Sequence, residues 1–218
     1  MNQTLKIPGS ISAVAIALTL SACEPGEPPV APDPAAQDVY FERLSLLCDK
    51  AYPGQLVSDQ EADADMIGQP MVMHVATCDQ SEIQIPFHIA NADGTWNRSR
   101  TWIITRTDDG LRLKHRHRHE DGSLDAVSNY GGDTGSEGTA ERQEYPVDNE
   151  SIMLFKQEGL DQSITNTWAV EISPPGKQEA RFAYELRRPD TAGGRFFRVE
   201  FDLSNSIEPP PPPWGDEE

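Results

Sequence analysis

From residue 71 onward, apolar and polar residues alternate with a period of two, the repeat of a strand with one face buried and one wet. In "EIQIPFHI" (82–89), Ile83, Ile85, Phe87 and Ile89 share one side, against Glu82, Gln84, Pro86 and His88. In "RFAYELRR" (181–188), Phe182, Tyr184 and Leu186 oppose Arg181, Glu185 and Arg187. "RFFRVEFDL" (195–203) and "TNTWAVEI" (165–172) repeat the pattern. The same reading predicts strands at 71–78, 101–107, 111–119, 124–130 and 142–147, about nine in all. Pro86 lacks a ladder donor, which predicts an edge or a bulge there. "DDG" (108–110) and the Asp121–Gly122 pair read as hairpin turns.

Helical spacing occurs twice. Val39, Phe41, Leu44, Leu47 and Cys48 predict a helix capped by Asp38 and ended by "YPG" (52–54). "DNESIMLFKQEG" (148–159) predicts a second, capped by Asp148 or Asn149 and stopped by Gly159. Strands joined mostly by short turns, without helices between them, imply an antiparallel sheet. The fold class is therefore mainly β: a strongly bent sheet closing as a barrel or a sandwich, with the barrel preferred. A transmembrane barrel needs an apolar outer band, and the wet faces here carry Arg, Glu and Lys.

The N-terminus follows a different pattern. The apolar run "ISAVAIALTL" (11–20) is too short for a bilayer span of about 20 residues and suits a signal peptide. It leads into Leu20, Ser21, Ala22 and Cys23, which resembles the lipobox of bacterial lipoproteins. That resemblance covers residues 1–23. It implies that the leader 1–22 is removed and that Cys23 becomes an acylated first residue, a stable anchor when several chains are attached. Glu24, rather than Asp, follows the cysteine. In the enterobacterial sorting pattern this implies the outer membrane. Residues 23–38 hold five prolines and read as a tether. Residues 39–205 form the single β-rich domain. Residues 206–218, with Pro209 to Pro213 consecutive, read as a spacer or frayed end or as a ligand for an aromatic-lined groove.

With Cys23 lipidated, Cys48 and Cys78 remain of the three cysteines, and in an oxidising compartment two such residues most often pair. The formal charge of −18 over 218 residues argues against nucleic acid and anionic lipid as partners. Acids at 59, 61, 63 and 65 suggest a calcium loop but lack its glycine and glutamate positions, so this stretch reads as a solvated loop. Among motifs, no GxSxG, HExxH, GxxxxGK[ST] or post-strand GxGxxG occurs, which leans against an enzyme.

His115, His117 and His119 stand at alternate positions in "GLRLKHRHRHEDGS" (110–123), sharing a face with Leu111 and Leu113. Arg112, Lys114, Arg116 and Arg118 take the other face, for acids of the body or an anionic partner. A two-residue turn would set His115 opposite Ser128, His117 opposite Ala126 and Arg118 opposite Asp125. Three readings stay open. Two neighbouring histidines can reach one Zn or Cu ion, about 6.5–7 Å apart at Cα, with help from His74, His88 or Glu120. The row can instead line the polar mouth of a ligand cavity. Or the hairpin projects and both faces are wet. In each case the row is expected to titrate near pH 6–7.

The stretches "TWIITRT", "GLRLKHRHRHEDGS", "NYGG", "RQEYPVD" and "RFFRVEFDLS" resemble a group of proteobacterial secreted proteins without an assigned activity. The resemblance covers most of 71–204 and carries no functional residues. The expectation is a lipid-anchored outer-membrane protein acting as a non-catalytic binding or interaction module, without a resident cofactor. The alternative is a metal-binding protein or metal-dependent hydrolase built on His115, His117 and His119. Cys23→Ser is expected to abolish acylation and release the protein from membranes. Fractionation after metabolic labelling with a fatty acid checks this, and unchanged membrane attachment would overturn it.

Overall fold

A computed structural model describes residues 1, 4 and 35–216. The chain divides into Met1–Asp33 and a body, Pro34–Glu218. The leader and Cys23 lie outside the described residues. The body opens with helix α1 (Ala36–Ser45) and strand β1 (Lys50–Leu56), followed by β2 (Met71–Val75), β3 (Thr77–Cys78) and β4 (Glu82–Ala90). Next come β5 (Trp96–Thr107), β6 (Gly110–His117), β7 (Tyr130–Asp133) and β8 (Arg142–Pro146). Helix α2 (Asn149–Gln157) precedes β9 (Thr167–Ile172), β10 (Arg181–Arg188) and β11 (Arg195–Asp202).

Ten of the eleven strands form one antiparallel path, β7-β6-β5-β4-β2-β1-β11-β10-β9-β8, and β3 pairs with β4. A bridge between Gly132 and Val147 brings its two ends together, and the Asp148 amide donates to the Gly131 carbonyl at 3.0 Å. The sheet is thus a barrel, nearly closed, as the alternation predicts. Glycine is required at this seam. A Cβ on Gly131 would lie 1.8 Å from the Leu113 carbonyl oxygen, and one on Gly132 1.9 Å from that of Pro146.

The inward residues form one apolar core, including Met73, Ile83, Ile85, Trp102, Ile104, Trp168, Val170, Phe182, Val199 and Phe201. α1 packs at the end where β5 stops and β6 starts. It buries Tyr40, Phe41 and Leu44; Arg106 of β5 lies over the Phe41 ring and pairs with Asp38. The N-cap is Ala35, so the helix starts before the expected Asp38, inside the predicted tether. α2 sits towards the other end; the Asp148 carboxylate caps it by accepting from the Ser151 amide at 2.7 Å. Cys48 and Cys78 form a disulfide, tying the segment after α1 to β3. A closed loop of this length contributes about 3–4 kcal/mol in the chain-entropy view.

Outside, the alternate residues of β8 to β11 form a ladder of ion pairs. Glu185 is only 2% exposed on that outer face. Arg142 and Arg198 each donate to it at 2.9 Å, and Arg187 at 2.7 Å. Arg198 also reaches Glu171 and Glu200. Most of the basic face of β6 is neutralised similarly, while Arg116 donates to the neutral Gln84. Arg112 meets Asp133 at 2.6 Å, Lys114 meets Asp148 and Glu150, both at 2.9 Å, and Arg118 lies 3.8 Å from Asp216.

Several expectations are corrected. "YPG" does not end a helix; α1 stops earlier, and Tyr52 to Gly54 run through β1. The predicted strand 71–78 breaks at Ala76; Pro86 is on no edge, since β4 runs between β5 and β2–β3, and it falls where the pairing passes from β2 to β3. The "solvated" acidic loop carries a 3-10 turn, Glu61–Met66, in which Asp63 is buried and paired with Arg195. Strand 124–130 is absent as such; β7 forms from "YGGD" (130–133), which shares only Tyr130 with the predicted strand. The tail beyond 205 is not a frayed end: Ile207 bridges to Ala51, and Pro213 is buried. Gly132→Ala is expected to destabilise the protein by about 3 kcal/mol or more, because the added methyl meets backbone rather than a movable side chain. Urea unfolding checks this; a loss under about 1 kcal/mol would show that the seam yields.

Candidate functional site

The inward row of β6 runs from apolar to polar along the barrel axis. Leu111 is 1% exposed, Leu113 0% and His115 2%; His117 is half-buried and His119 exposed. The histidine row therefore climbs from the core to the barrel's α2 end.

The returning chain does not follow the simple register. Arg118 bridges to Leu124, but His115 pairs with Tyr130. Arg116 and His117 are thus faced by five residues, Asp125 to Asn129. Asn129 takes a left-handed φ of 59°, and Ser128 accepts the His117 amide at 2.9 Å through Oγ. Tyr130, not Ser128, becomes the partner of His115. The shift is two residues, so the faces are preserved while the neighbours change. Asp125 meets His119 at 3.9 Å instead of Arg118.

His115 is held from every side. Its Nδ1 lies 3.1 Å from the Tyr130 carbonyl, which can only accept, so Nδ1 carries the proton. Nε2 is then bare and accepts from the Tyr184 hydroxyl at 2.8 Å. The ring stacks on Tyr130, with centroids 4.7 Å apart, and tilts against Trp168 at 5.1 Å. Tyr184 in turn stacks on Trp102 at 4.4 Å, and Trp102 on Phe87 at 4.7 Å. His117 Nε2 shares a hydrogen bond with the Tyr130 hydroxyl at 3.2 Å. Phe155 of α2 lies 5.2 Å from the Tyr130 ring.

Arg100 of β5 completes the group. It pairs across the ladder with His117, on the same inward face as Trp102 and Ile104. Its Nη1 donates to Asn97 Oδ1 at 3.3 Å and Ser99 Oγ at 3.0 Å. Among the described residues no carboxylate pairs with it. Burial lowers its pKa from the ordinary value, with Tyr130 and Tyr184 opposing that trend. Arg188 continues the inward row of β10 beyond Leu186; its Nε is buried without a hydrogen-bond partner.

The expected titration near pH 6–7 does not hold for two of the three histidines. Burial, and then the neighbouring His117, push His115 down to about 3. Burial and the Arg100 cation push His117 down to about 4. Burial raises the Tyr130 hydroxyl to about 12. At neutral pH the cluster is two neutral imidazoles, neutral phenols and one guanidinium.

This is not the arrangement that a metal site needs. Both nitrogens of His115 are engaged, and Glu120 is exposed at the hairpin tip. His74 lies on β2, and His88 donates from Nε2 to the Pro211 carbonyl at 2.9 Å. Among the described residues no three His, Cys, Asp or Glu side chains gather to hold an ion. Around His115 the rings of Tyr130, Trp168 and Tyr184 occupy the barrel interior. Surface grooves of about 570 and 410 Å³ lie elsewhere, beside β1, β10 and β11 and beside Arg112 and the start of α2.

The sequence singled out His115, His117 and His119 but missed Arg100, Tyr130 and Tyr184. Extending the strand at 101–107 back to Trp96 places Arg100 in register with Trp102. That extension was the available signal. No protein-family model matches the chain, and no curated protein matches it.

The depressed histidines are expected to make the fold lose stability in acid. Above the ordinary histidine pKa of about 6.5 both folded and unfolded forms are neutral and nothing is lost. Below it the unfolded chain takes up protons that the folded chain refuses, until pH reaches about 4 for His117 and about 3 for His115. Each histidine is expected to cost about 2–3 kcal/mol between pH 6.5 and 4.5, at about 1.4 kcal/mol per unit. His115→Gln is expected to be less stable at pH 7 and to lose about half of this histidine contribution. Urea unfolding at pH 7 and 4.5 checks it; equal pH slopes in both proteins would refute the assignment.

Proposed function

We propose that this is a lipid-anchored cell-envelope protein acting as a non-catalytic binding module, whose barrel binds a small oxyanion, carboxylate or phosphate, at Arg100. One observation carries the binding reading. In a chain of net charge −18, no carboxylate among the described residues pairs with the Arg100 cation on the inner wall. Other half-buried cations are neutralised, Arg195 by Asp63 and Arg142 and Arg198 by Glu185 and Glu171, whereas Arg188, on the same inner wall, shares with Arg100 the lack of a carboxylate among the described residues. Desolvating a guanidinium without a counter-charge is unfavourable, and an entering anion removes that penalty.

The donor geometry suits an oxyanion. Nη1 of Arg100 is taken by Asn97 and Ser99, which leaves Nε and Nη2 for a planar, two-point contact. The Tyr130 hydroxyl and the His117 ring stand beside it. A bound anion would also raise the pKa of His117 from its depressed value, so binding tightens as pH falls from 7 towards 5. The cluster offers no activated nucleophile, because its histidines serve tyrosine hydroxyls and a main-chain carbonyl. That arrangement supports recognition over catalysis. The lipobox and the tether support the address.

Titration with inorganic phosphate and with acetate, followed by the His117 ring resonances, tests the reading. Saturable binding with a Kd on the order of 1 mM or below is expected for one of them. Arg100→Gln is expected to weaken it at least tenfold, about 1.4 kcal/mol. No saturable shift with either anion, or equal binding by Arg100→Gln, would overturn the proposal.

A further inference from the structure

The proline run lies against the body. After β11 the Ile207 amide donates to the Ala51 carbonyl at 2.9 Å, and the chain crosses the outer wall of β4 and β5. A polyproline rod makes no hydrogen bonds of its own, so its carbonyls are available to donors. Two successive ones are taken. His88 Nε2 donates to the Pro211 carbonyl at 2.9 Å, and Arg98 Nη1 donates to the Pro212 carbonyl at 2.6 Å. Pro213 is buried, and the Trp214 amide donates to the Arg98 carbonyl at 3.3 Å. Beyond it Gly215 packs on Gly122, where a Cβ on either would come within 3.0 Å of the other, and Asp216 lies 3.8 Å from Arg118.

The wall is shaped for this contact. Phe87 pairs with Arg100 and Ile89 with Asn97, so β5 carries two residues, Arg98 and Ser99, opposite the single His88. This bulge turns the Arg98 side chain and carbonyl towards the tail. His88 is 1% exposed, and it belongs to the face that alternation marks as wet. The tail covers it.

We infer that the outer wall of β4 and β5 around His88 and Arg98 is a receptor for extended proline-rich segments of partner proteins, held in reserve by the chain's own tail. The partner chemistry is that of the tail: consecutive prolines, then an aromatic residue and acids. The contacts read main-chain carbonyls, one proline ring and an acid, none of which is peculiar to this chain. An acid following the prolines, Asp216, lies beside Arg118. The tail is also the part most easily released. The barrel ladders on both sides of β4 and β5 are complete without it, and of residues 206–216 only Pro213 is buried.

A fluorescent peptide of residues 206–218 tests this on full-length protein. The wild-type tail competes in cis at high effective concentration, so weak binding is expected. Replacing Pro211, Pro212 and Pro213 together with Gly loosens that competitor and is expected to strengthen peptide binding at least tenfold. Adding Arg98→Ala to this variant is expected to reverse the gain, as is adding His88→Ala. Arg98→Ala decides the matter if His88→Ala fails to fold by circular dichroism. A peptide with its five prolines changed to Ser is expected not to bind. The inference is refuted if the loosened variant binds no better than wild type, if Arg98→Ala leaves binding unchanged, or if the serine peptide binds equally.

Discussion

Closure of the barrel at Gly131 and Gly132 is the constraint on which the rest depends. β7 is four residues long and must approach β6 on one side and the end of β8 on the other. Only a residue without a Cβ lets the backbone come that close, and two consecutive glycines supply it. Once the seam is made, Tyr130, the residue just before it, is fixed over His115, and α2 starts directly from the closing strand. The dry interior follows from the closure, and the displaced histidine pKa values follow from the dryness.

Charge is distributed by the same geometry. On the outer wall of β8 to β11, Arg142, Arg181 and Arg198 find carboxylates on adjacent strands, because residues facing one another across an antiparallel ladder share a side. Arg142, Glu171, Glu185, Arg198 and Glu200 form such a network over four strands. Its value is that Glu185, though covered, is never without a counter-charge. Among the described residues the inner wall has no comparable supply of acids. Its polar residues instead satisfy each other through neutral bonds, imidazole to phenol and imidazole to main chain. Against that background Arg100 is a cation inside a shell of neutral donors and rings, with Arg188 a second cation farther along the inner wall.

The period-two alternation made the sheet legible. Strands such as 82–89, 181–188 and 195–203 lie where it places them, within one or two residues, because each buries one face. Where the buried face is small or the strand is short, the signal disappears. β1 contains Pro53 and Gly54 and reads as a turn, yet it is a central strand with partners on both sides. β7 has two glycines among its four residues, so there was nothing to alternate. The histidine row was legible as a face but not as an environment. Its titration depends on Tyr130, Tyr184 and Trp168, which come from three other strands, and on an excursion of the returning chain that no two-residue turn predicts. Long-range packing sets these pKa values, and periodicity carries no information about it.

The bulge in β5 joins the two sides of the barrel wall. In a regular strand Arg98 and Arg100 would face the same way. One extra residue opposite His88 breaks that rule. Arg100 keeps the inward register of Trp102 and Ile104, while Arg98 reaches the tail on the outer wall. Ser99 sits between them, lending its hydroxyl to Arg100 and its carbonyl to the Arg118 amide. The same irregularity therefore aims one cation into the barrel and another out of it. A change of backbone at Asn97 to Ser99 would disturb both contacts together, which makes this bulge, more than either arginine alone, the element that gives the wall its two polar surfaces.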